Sequence, residues 1–476
     1  MKYNSFQAKF AAVCISFMLF ACAQQGGGPA ACVPVQNPSA TYQQITAFKF
    51  SGSLKLIVKM TNDFQDFENF RDDLMWENGK AQEHFQKIGI TKIADGTYAI
   101  EIHSQSPSMK VLEKAIQDQK IQFIETDYAT FSTDQLESQG LDTGLTAAAA
   151  EISSEISSAE VNAQGRRQII VAVIDTGVDY THKDLASYIW RNTKEIPNNG
   201  IDDDQNGYVD DTMGWDFVNN DNDPMSDDIR GYHGTHVAGI VRTASQLNQQ
   251  GIDVKIMPLK YLDASASGLS SNAIRAIDYA VKNGAVILNN SWGSMNSSKA
   301  LSDAIERSRL ANVLFVAAAG NGDAAGNGIN IDLQPFYPAA YPHDNIISVA
   351  AGDQNGNLTK FSNYGKMNVD IGAPGLDIRS TRNGNTYGVL SGTSMASPYV
   401  AGVAAMLWGL RSDLSYRELK RVLLNSAAVN SSLSGKVATG GAINPTEAIR
   451  MVASFSHDPN EKYTPEFTAP RDCSQP

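Results

Sequence analysis

Residues 400–408 read Val-Ala-Gly-Val-Ala-Ala-Met-Leu-Trp, a run without one polar side chain. A helix that is apolar on every face has to be buried, so a large core must close around it. The residues leading into it, Ser391-Gly392-Thr393-Ser394-Met395-Ala396-Ser397-Pro398, are small and turn-forming. Ser394 therefore falls at a buried helix N-terminus, where unpaired N–H groups and the helix dipole favour negative charge. A serine there is either a helix cap or a hydroxyl set beside an anion site. The second reading needs a general base and a carboxylate elsewhere in the chain, because a serine hydroxyl alone is a poor nucleophile.

From Ile169 onward, strand-like apolar runs alternate with helical patterns. The runs are 169–174, 254–259, 286–288, 313–318 and 346–349; helical stretches such as 272–282 and 299–309 lie between them. This alternation predicts an α/β fold, a parallel sheet flanked by helices on both faces, spanning residues 132–455. Upstream, residues 53–131 give a strand at 54–59, a helix at 63–86, a strand at 88–93, a strand at 97–102, a helix at 108–117 and a strand at 121–125. That β-α-β-β-α-β order predicts a small, separate ferredoxin-like α+β domain. Residues 132–167 are polar and Ala/Ser-rich, an accessible connector with a short helix at 147–158.

The N-terminus carries Lys2 and Lys9 before an apolar run over 10–20 that is short for a membrane span, and so reads as an export signal. Leu19-Phe20-Ala21-Cys22 resembles a bacterial lipobox, which would make Cys22 a lipid anchor; cleavage after the Ala21-Cys22-Ala23 triplet is the other reading. Residues 23–52 form a flexible linker and 456–476 a tail. Cys32 and Cys473 are left to pair with each other or to stay as separate thiols. A net charge of −13 argues against nucleic acid or an anionic membrane surface as the main partner.

The first strand of the large domain ends in Ile174-Asp175-Thr176-Gly177, an acid where open parallel sheets place their sites. Asp-Thr-Gly is also a turn former and a feature of aspartic peptidases. The second copy, Asp142-Thr143-Gly144, precedes an alanine run rather than a second sheet lobe, so no matching unit holds a paired aspartate. His233-Gly234-Thr235-His236-Val237-Ala238-Gly239 opens a small-residue helix. Its two histidines could bind a metal only with further His or Cys, and a general base is the better reading of His233. Asp175, His233 and Ser394 then supply a carboxylate, a base and a nucleophile, in the chain order of subtilisin rather than of chymotrypsin or the α/β-hydrolases.

On these three blocks and on Val316-Ala317-Ala318-Ala319-Gly320-Asn321-Gly322, the chain resembles the subtilase family of serine peptidases from about Ile169 to Ala453. The resemblance implies a subtilisin-like fold and hydrolysis of peptide bonds in polypeptide substrates by an exported endopeptidase. It also implies that Asn321 and the Ser394 N–H form an oxyanion hole. Extended substrate would bind along Gly268, Ser291, Trp292 and Gly293. Phe336-Tyr337-Pro338-Ala339 would line the primary specificity pocket, with Pro338 cis and Phe336 either packing in the core or shortening the pocket. Residues 53–131 would be an inhibitory propeptide, making the chain a self-processed zymogen and its own propeptide a partner. The enzyme would be a monomer that meets a membrane only through Cys22. A catalytically silent polypeptide-binding relative and a serine esterase are the competing classes; the intact triad disfavours the first and the missing Gly-x-Ser-x-Gly elbow the second.

Residues 202–228 hold ten Asp and no Lys or Arg. Asp202, Asp204, Asn206, Tyr208 and Asp210 present oxygens at alternate positions with Gly207 sixth, as in an EF-hand loop, although Met213 stands where the bidentate Glu would be. Ten uncompensated carboxylates predict a structural Ca²⁺ there, with none required for the chemistry. The family's matching ligand Asp184 is doubtful, because the loop over 245–251 that would share its ion is short.

Overall fold

The computed structural model describes residues 53–61, 76–77, 80–81, 90–103, 108–118, 120–133, 168–227, 232–248 and 252–457. The export signal, Cys14, Cys22, Cys32, Cys473, the flexible linker, the second Asp-Thr-Gly and the expected helix at 147–158 lie outside these residues. Among the described residues no helix is long and apolar enough to cross a membrane.

The first part of the chain forms β1 (Ser53–Met60), β2 (Trp76–Glu77), β3 (Lys80–Ala81), β4 (Ile90–Ala94), β5 (Thr97–His103), α1 (Ser108–Gln117), β6 (Ile121–Thr126) and β7 (Ala129–Ser132). Four of these strands make an antiparallel sheet in the order β4-β5-β1-β6. Along β1 the side chains alternate: Leu56, Val58 and Met60 face a core with Leu112, Ala115 and Ile116 of α1, whose spacing puts them on one helix face. Ile57 points the other way and, with Ile93 and Phe123, joins the core of the large domain. The sheet is thus buried on both faces.

One expectation fails here. Within the helix expected across 63–86, residues 76–77 and 80–81 are instead β2 and β3, paired antiparallel, and the rest of that stretch lies outside the described residues. Between these two strands the sequence reads Asn78-Gly79, a dipeptide that favours a two-residue hairpin connection over helix.

The large domain is built on a nine-stranded sheet. Its strands are β8 (Ile169–Asp175), β9 (Trp215–Asp216), β10 (Val254–Lys260), β12 (Ile287–Asn290), β14 (Leu314–Ala318), β15 (Ile346–Gly352), β16 (Ile371–Pro374), β19 (Ala428–Val429) and β20 (Gly441–Ala442). Their order is β19-β20-β16-β15-β14-β12-β8-β10-β9, and every pair is parallel except β19 with β20. Two further strands, β11 (Ser267–Leu269) and β13 (Trp292–Gly293), stand off this sheet, and β17 (Ile378–Arg382) and β18 (Thr386–Leu390) form a hairpin.

The helices are α2 (His233–Ser245), α3 (Ser270–Lys282), α4 (Lys299–Leu310), α5 (Thr393–Leu410), α6 (Tyr416–Asn425) and α7 (Pro445–Ser454). In β8, Ile169, Val171 and Val173 pack with α2 and α5, while Ile170, Ala172 and Ile174 pack with α3 and α4. Consecutive residues serve opposite layers, as a strand covered on both sides requires. In α5 every residue from Thr393 to Trp408 is buried. Burying each large apolar side chain there stabilises the fold by roughly 1.5–3 kcal/mol. Gly402 lets α2 lie directly on α5, because a Cβ there would meet the Val241 carbonyl at 2.6 Å.

Candidate active site

Three elements of the sheet layer converge at its C-terminal edge. β8 ends in Asp175, α2 begins at His233, and α5 carries Ser394 as its second residue. Asp175 and Ser394 are fully buried and His233 is 2% exposed. Asp175 Oδ1 lies 2.6 Å from His233 Nδ1 and also accepts the Thr176 N–H at 2.7 Å. The close approach of α2 depends on Gly234, where a Cβ would sit 2.1 Å from the Gly177 carbonyl and 3.2 Å from Asp175 Oδ1. With Nδ1 turned to a carboxylate, the His233 proton sits on Nδ1 and Nε2 keeps its lone pair.

Pro398 lies inside α5 and has no N–H to give the Ser394 carbonyl one turn back. A buried carbonyl left alone costs about 1–3 kcal/mol. Here the Ser291 hydroxyl donates to it at 3.0 Å, tying the nucleophile's backbone to the cleft wall. Ser394 Oγ lies 3.2 Å from the Ser291 carbonyl and 2.7 Å from Thr133 Oγ1.

Asn321 follows β14. Its Oδ1 accepts from the Thr393 N–H at 2.9 Å and the Thr393 hydroxyl at 3.0 Å. Two donors on one side of the amide fix its orientation, so Nδ2 faces the cleft. There Nδ2 donates to the carbonyl of Thr133. The Ser394 N–H, in the first turn of α5, has no acceptor within its own helix.

The segment that ends at Thr133 lies along the cleft. β7 is the middle strand of a three-stranded sheet in the order β11-β7-β13, antiparallel to both neighbours. Thr130 is opposite Gly268, Ser132 opposite Trp292 and Phe131 opposite Gly293. The Thr133 N–H donates to the Ser291 carbonyl at 3.1 Å and the Ser132 N–H to the Ala266 carbonyl at 3.2 Å. All four residues expected to bind substrate, Gly268, Ser291, Trp292 and Gly293, therefore line β7. The chain holds a peptide across a serine, an Asp–His pair and an amide donor.

A family model described as the subtilase family matches residues 166–448. The chain belongs to the subtilase family. This subtilase is 34% identical over 301 residues to Subtilisin-like protease 1 of Plasmodium falciparum (isolate 3D7), covering 59% of this chain and 43% of that protein. It is 39% identical over 285 residues to Thermophilic serine proteinase of Bacillus sp. (strain AK1), 59% and 61% of the two chains. Thermitase of Thermoactinomyces vulgaris is 35% identical over 285 residues, 59% of this chain and 88% of thermitase. The subtilase spans about half the length of the first of these relatives.

Two carboxylates preceding β7 seat the first part of the chain on the subtilase domain. Glu125, 3% exposed, accepts from the Ser298 hydroxyl at 2.5 Å and from the Lys299 and Ala300 N–H groups at 2.9 and 3.3 Å, at the start of α4. Asp127 does the same for α3, accepting from the Ser270 hydroxyl at 2.9 Å, the Ser271 N–H at 3.0 Å and the Ser271 hydroxyl at 2.5 Å. Helix N-termini favour such anions, and α3 has no side-chain cap of its own.

In the acidic loop, carboxylate oxygens of Glu195, Asp202 and Asp204 come within 4.8 Å of one another. Asp210 is placed differently from its expected ligand role. With φ 56 it turns its carboxylate onto the Asn199 and Gly200 N–H groups at 3.0 and 2.9 Å, a structural use set by the backbone turn. Asn206 Oδ1 accepts the Tyr208 N–H at 2.8 Å, and the Tyr208 ring packs edge-on against Trp215 and Tyr279. Asp184 accepts the Tyr387 hydroxyl at 2.5 Å, outside the carboxylate cluster. The Tyr337–Pro338 bond is cis. Phe336 packs between Gly293 and Gly320, where added Cβ atoms would sit 2.2 and 3.0 Å from its ring.

Sequence reasoning missed Glu125, Asp127, Thr133, Glu195 and Thr393. The only local signal among them is the hydroxyl of Thr393 beside Ser394.

Proposed function

We propose that this subtilase is a serine endopeptidase made as a zymogen, and that its first cut is in its own chain, between Thr133 and Asp134. The observation that carries the reading is Thr133, whose carbonyl accepts from Asn321 Nδ2 while its N–H donates to Ser291. Ser394 Oγ attacks the scissile carbonyl carbon and His233 Nε2 takes its proton. Asp175 holds the imidazole in that tautomer and stabilises the imidazolium. Asn321 Nδ2 and the Ser394 N–H receive the oxyanion. His233 then passes the proton to the leaving amine, the C–N bond breaks, and water releases the acyl-enzyme by the same steps in reverse.

The boundary of the inhibitory segment accordingly falls after Thr133, two residues beyond the sequence-based estimate. Mass spectrometry and N-terminal sequencing of the purified chain should find a fragment beginning at Asp134. A chain that stays whole through long incubation rejects the reading. Phe336, wedged between two glycines of the cleft wall, makes the pocket for the residue before the cut shallow, in keeping with threonine there.

Burial pushes the Glu125 carboxyl up to about 7, against the hydrogen bonds from Ser298, Lys299 and Ala300, and burial pushes Asp127 upward too. The docked segment thus holds a proton that the free segment gives up near its ordinary value of 4.5. Docking is fully favoured below that value and weakens as pH rises to about 7, by up to about tenfold per pH unit for the one proton. Size-exclusion analysis of the cleaved complex should show the segment retained at pH 4.5 and shed towards pH 7, with Glu125→Gln flattening the dependence. Retention independent of pH in the parent would contradict it.

The Glu195, Asp202 and Asp204 cluster offers hard oxygen donors that suit a calcium ion. Calcium bound there would supply charge compensation for the acidic loop and no step of the hydrolysis. Residues 192–211 would be its dependents, since Asn192 already bridges Asp204 and Asp211.

A further inference from the structure

We propose that the cleft selects substrates with threonine four residues before the cut, and that the hydroxyl of Tyr261 is the group that reads it. The inference rests on the endopeptidase reading above, with Thr130 as the residue four before the bond after Thr133. In the bound strand the outward Phe131 is 53% exposed, whereas Thr130 is 1% exposed. The protein therefore encloses the side chain of Thr130 and leaves about half of Phe131 in solvent.

Thr130 Oγ1 lies 3.1 Å from the Gly268 carbonyl and 3.1 Å from the Tyr261 hydroxyl. A hydroxyl carries one hydrogen and a carbonyl can only accept. Thr130 donates to Gly268, so the Tyr261 O–H donates to Thr130. Tyr261 directly follows β10, is fully buried, and its ring packs edge-on against Trp292 at 5.0 Å. It cannot swing to another acceptor without breaking that packing. Among the described residues its hydroxyl has no other hydrogen-bond partner. Burial raises its ionisation well above the ordinary range, so it stays a neutral donor.

Valine has the shape of threonine with a methyl in place of the hydroxyl. It would fill the same space and strand both the Tyr261 donor and one acceptor site on Gly268. Sites that bury a hydrogen-bonding group reject the analogue that lacks the partner far more strongly than they reject a change of size.

The test uses the purified full-length chain after self-processing and two fluorogenic peptides, Thr-Phe-Ser-Thr and Val-Phe-Ser-Thr before the reporter. In the parent, kcat/KM for the threonine peptide should exceed that for valine by about tenfold or more. Tyr261→Phe should bring the two within about twofold. Independently of that variant's folding, Thr130→Val in the full chain should slow self-cleavage by a similar factor. Equal turnover of the two peptides by the parent overturns the proposal, as does a preference that Tyr261→Phe leaves intact. A protein that cleaves neither peptide, and not itself, instead sinks the endopeptidase reading on which this one stands.

Discussion

Ser394→Ala should leave the chain at full length. The expected loss of peptide-bond hydrolysis is on the order of 10⁶-fold, a magnitude known from removal of the nucleophile in subtilisin itself. The substitution removes one oxygen from a fully buried site and spares the helix around it. The Ser291 hydroxyl bonds the Ser394 backbone carbonyl, which alanine retains, so the tie between cleft wall and α5 survives. Two readouts separate chemistry from damage. Gel analysis should show no fragment starting at Asp134, and labelling by a fluorophosphonate probe should vanish, while the melting temperature stays within a few degrees of the parent. Self-cleavage at an undiminished rate in this variant would mean that another group does the chemistry.

Asp175→Asn should cost about 10⁴-fold in kcat, the scale known from removal of the equivalent carboxylate of subtilisin, with a much smaller change in KM. Its cause here is distinctive. The Thr176 N–H donates to the same Oδ1 that faces His233, so two donors converge on one oxygen. An amide in this place keeps its oxygen there and turns its NH₂ to the Oδ2 position, where no partner exists among the described residues. The histidine tautomer is then preserved, and what is lost is the negative charge opposite the imidazolium. A loss below tenfold would remove Asp175 from the mechanism.

The parts of the site legible in the sequence were those whose chemistry and local structure share one short block. Asp175 ends a strand, His233 and Ser394 begin helices, and Asn321 follows a strand, so each announces both its residue type and its position. The sheet of the large domain was legible for the same reason, because buried parallel strands are apolar runs. Glu125, Asp127 and Thr133 were not, since their meaning lies in partners more than a hundred residues away. Nothing near Glu125 in the chain says that it will meet the start of α4. The hydrogen bonds of Asp210 were not legible either, because alternate acidic positions look alike until the backbone turns one of them onto neighbouring N–H groups. At residues 76–77 and 80–81 paired strands stand where helical spacing was read, on either side of an Asn-Gly dipeptide that favours a hairpin.

On the proposed endopeptidase reading, the three-stranded arrangement around β7 has a consequence for which proteins the chain would attack once β7 has left the cleft. β11 and β13 are joined to each other only through the strand between them, and adjacent strands lie about 4.8 Å apart. Without β7 they bound a slot one strand wide, lined by unpaired backbone groups on both sides. A helix, roughly 10 Å across with its amides already bonded, is too wide and too satisfied to enter. A strand already paired within a sheet has only one free edge and meets one wall at most. On that reading the slot would accept a chain segment free on both edges, so a target's susceptibility would follow its local unfolding equilibrium, and well-folded neighbours, including mature copies of the chain, would be spared.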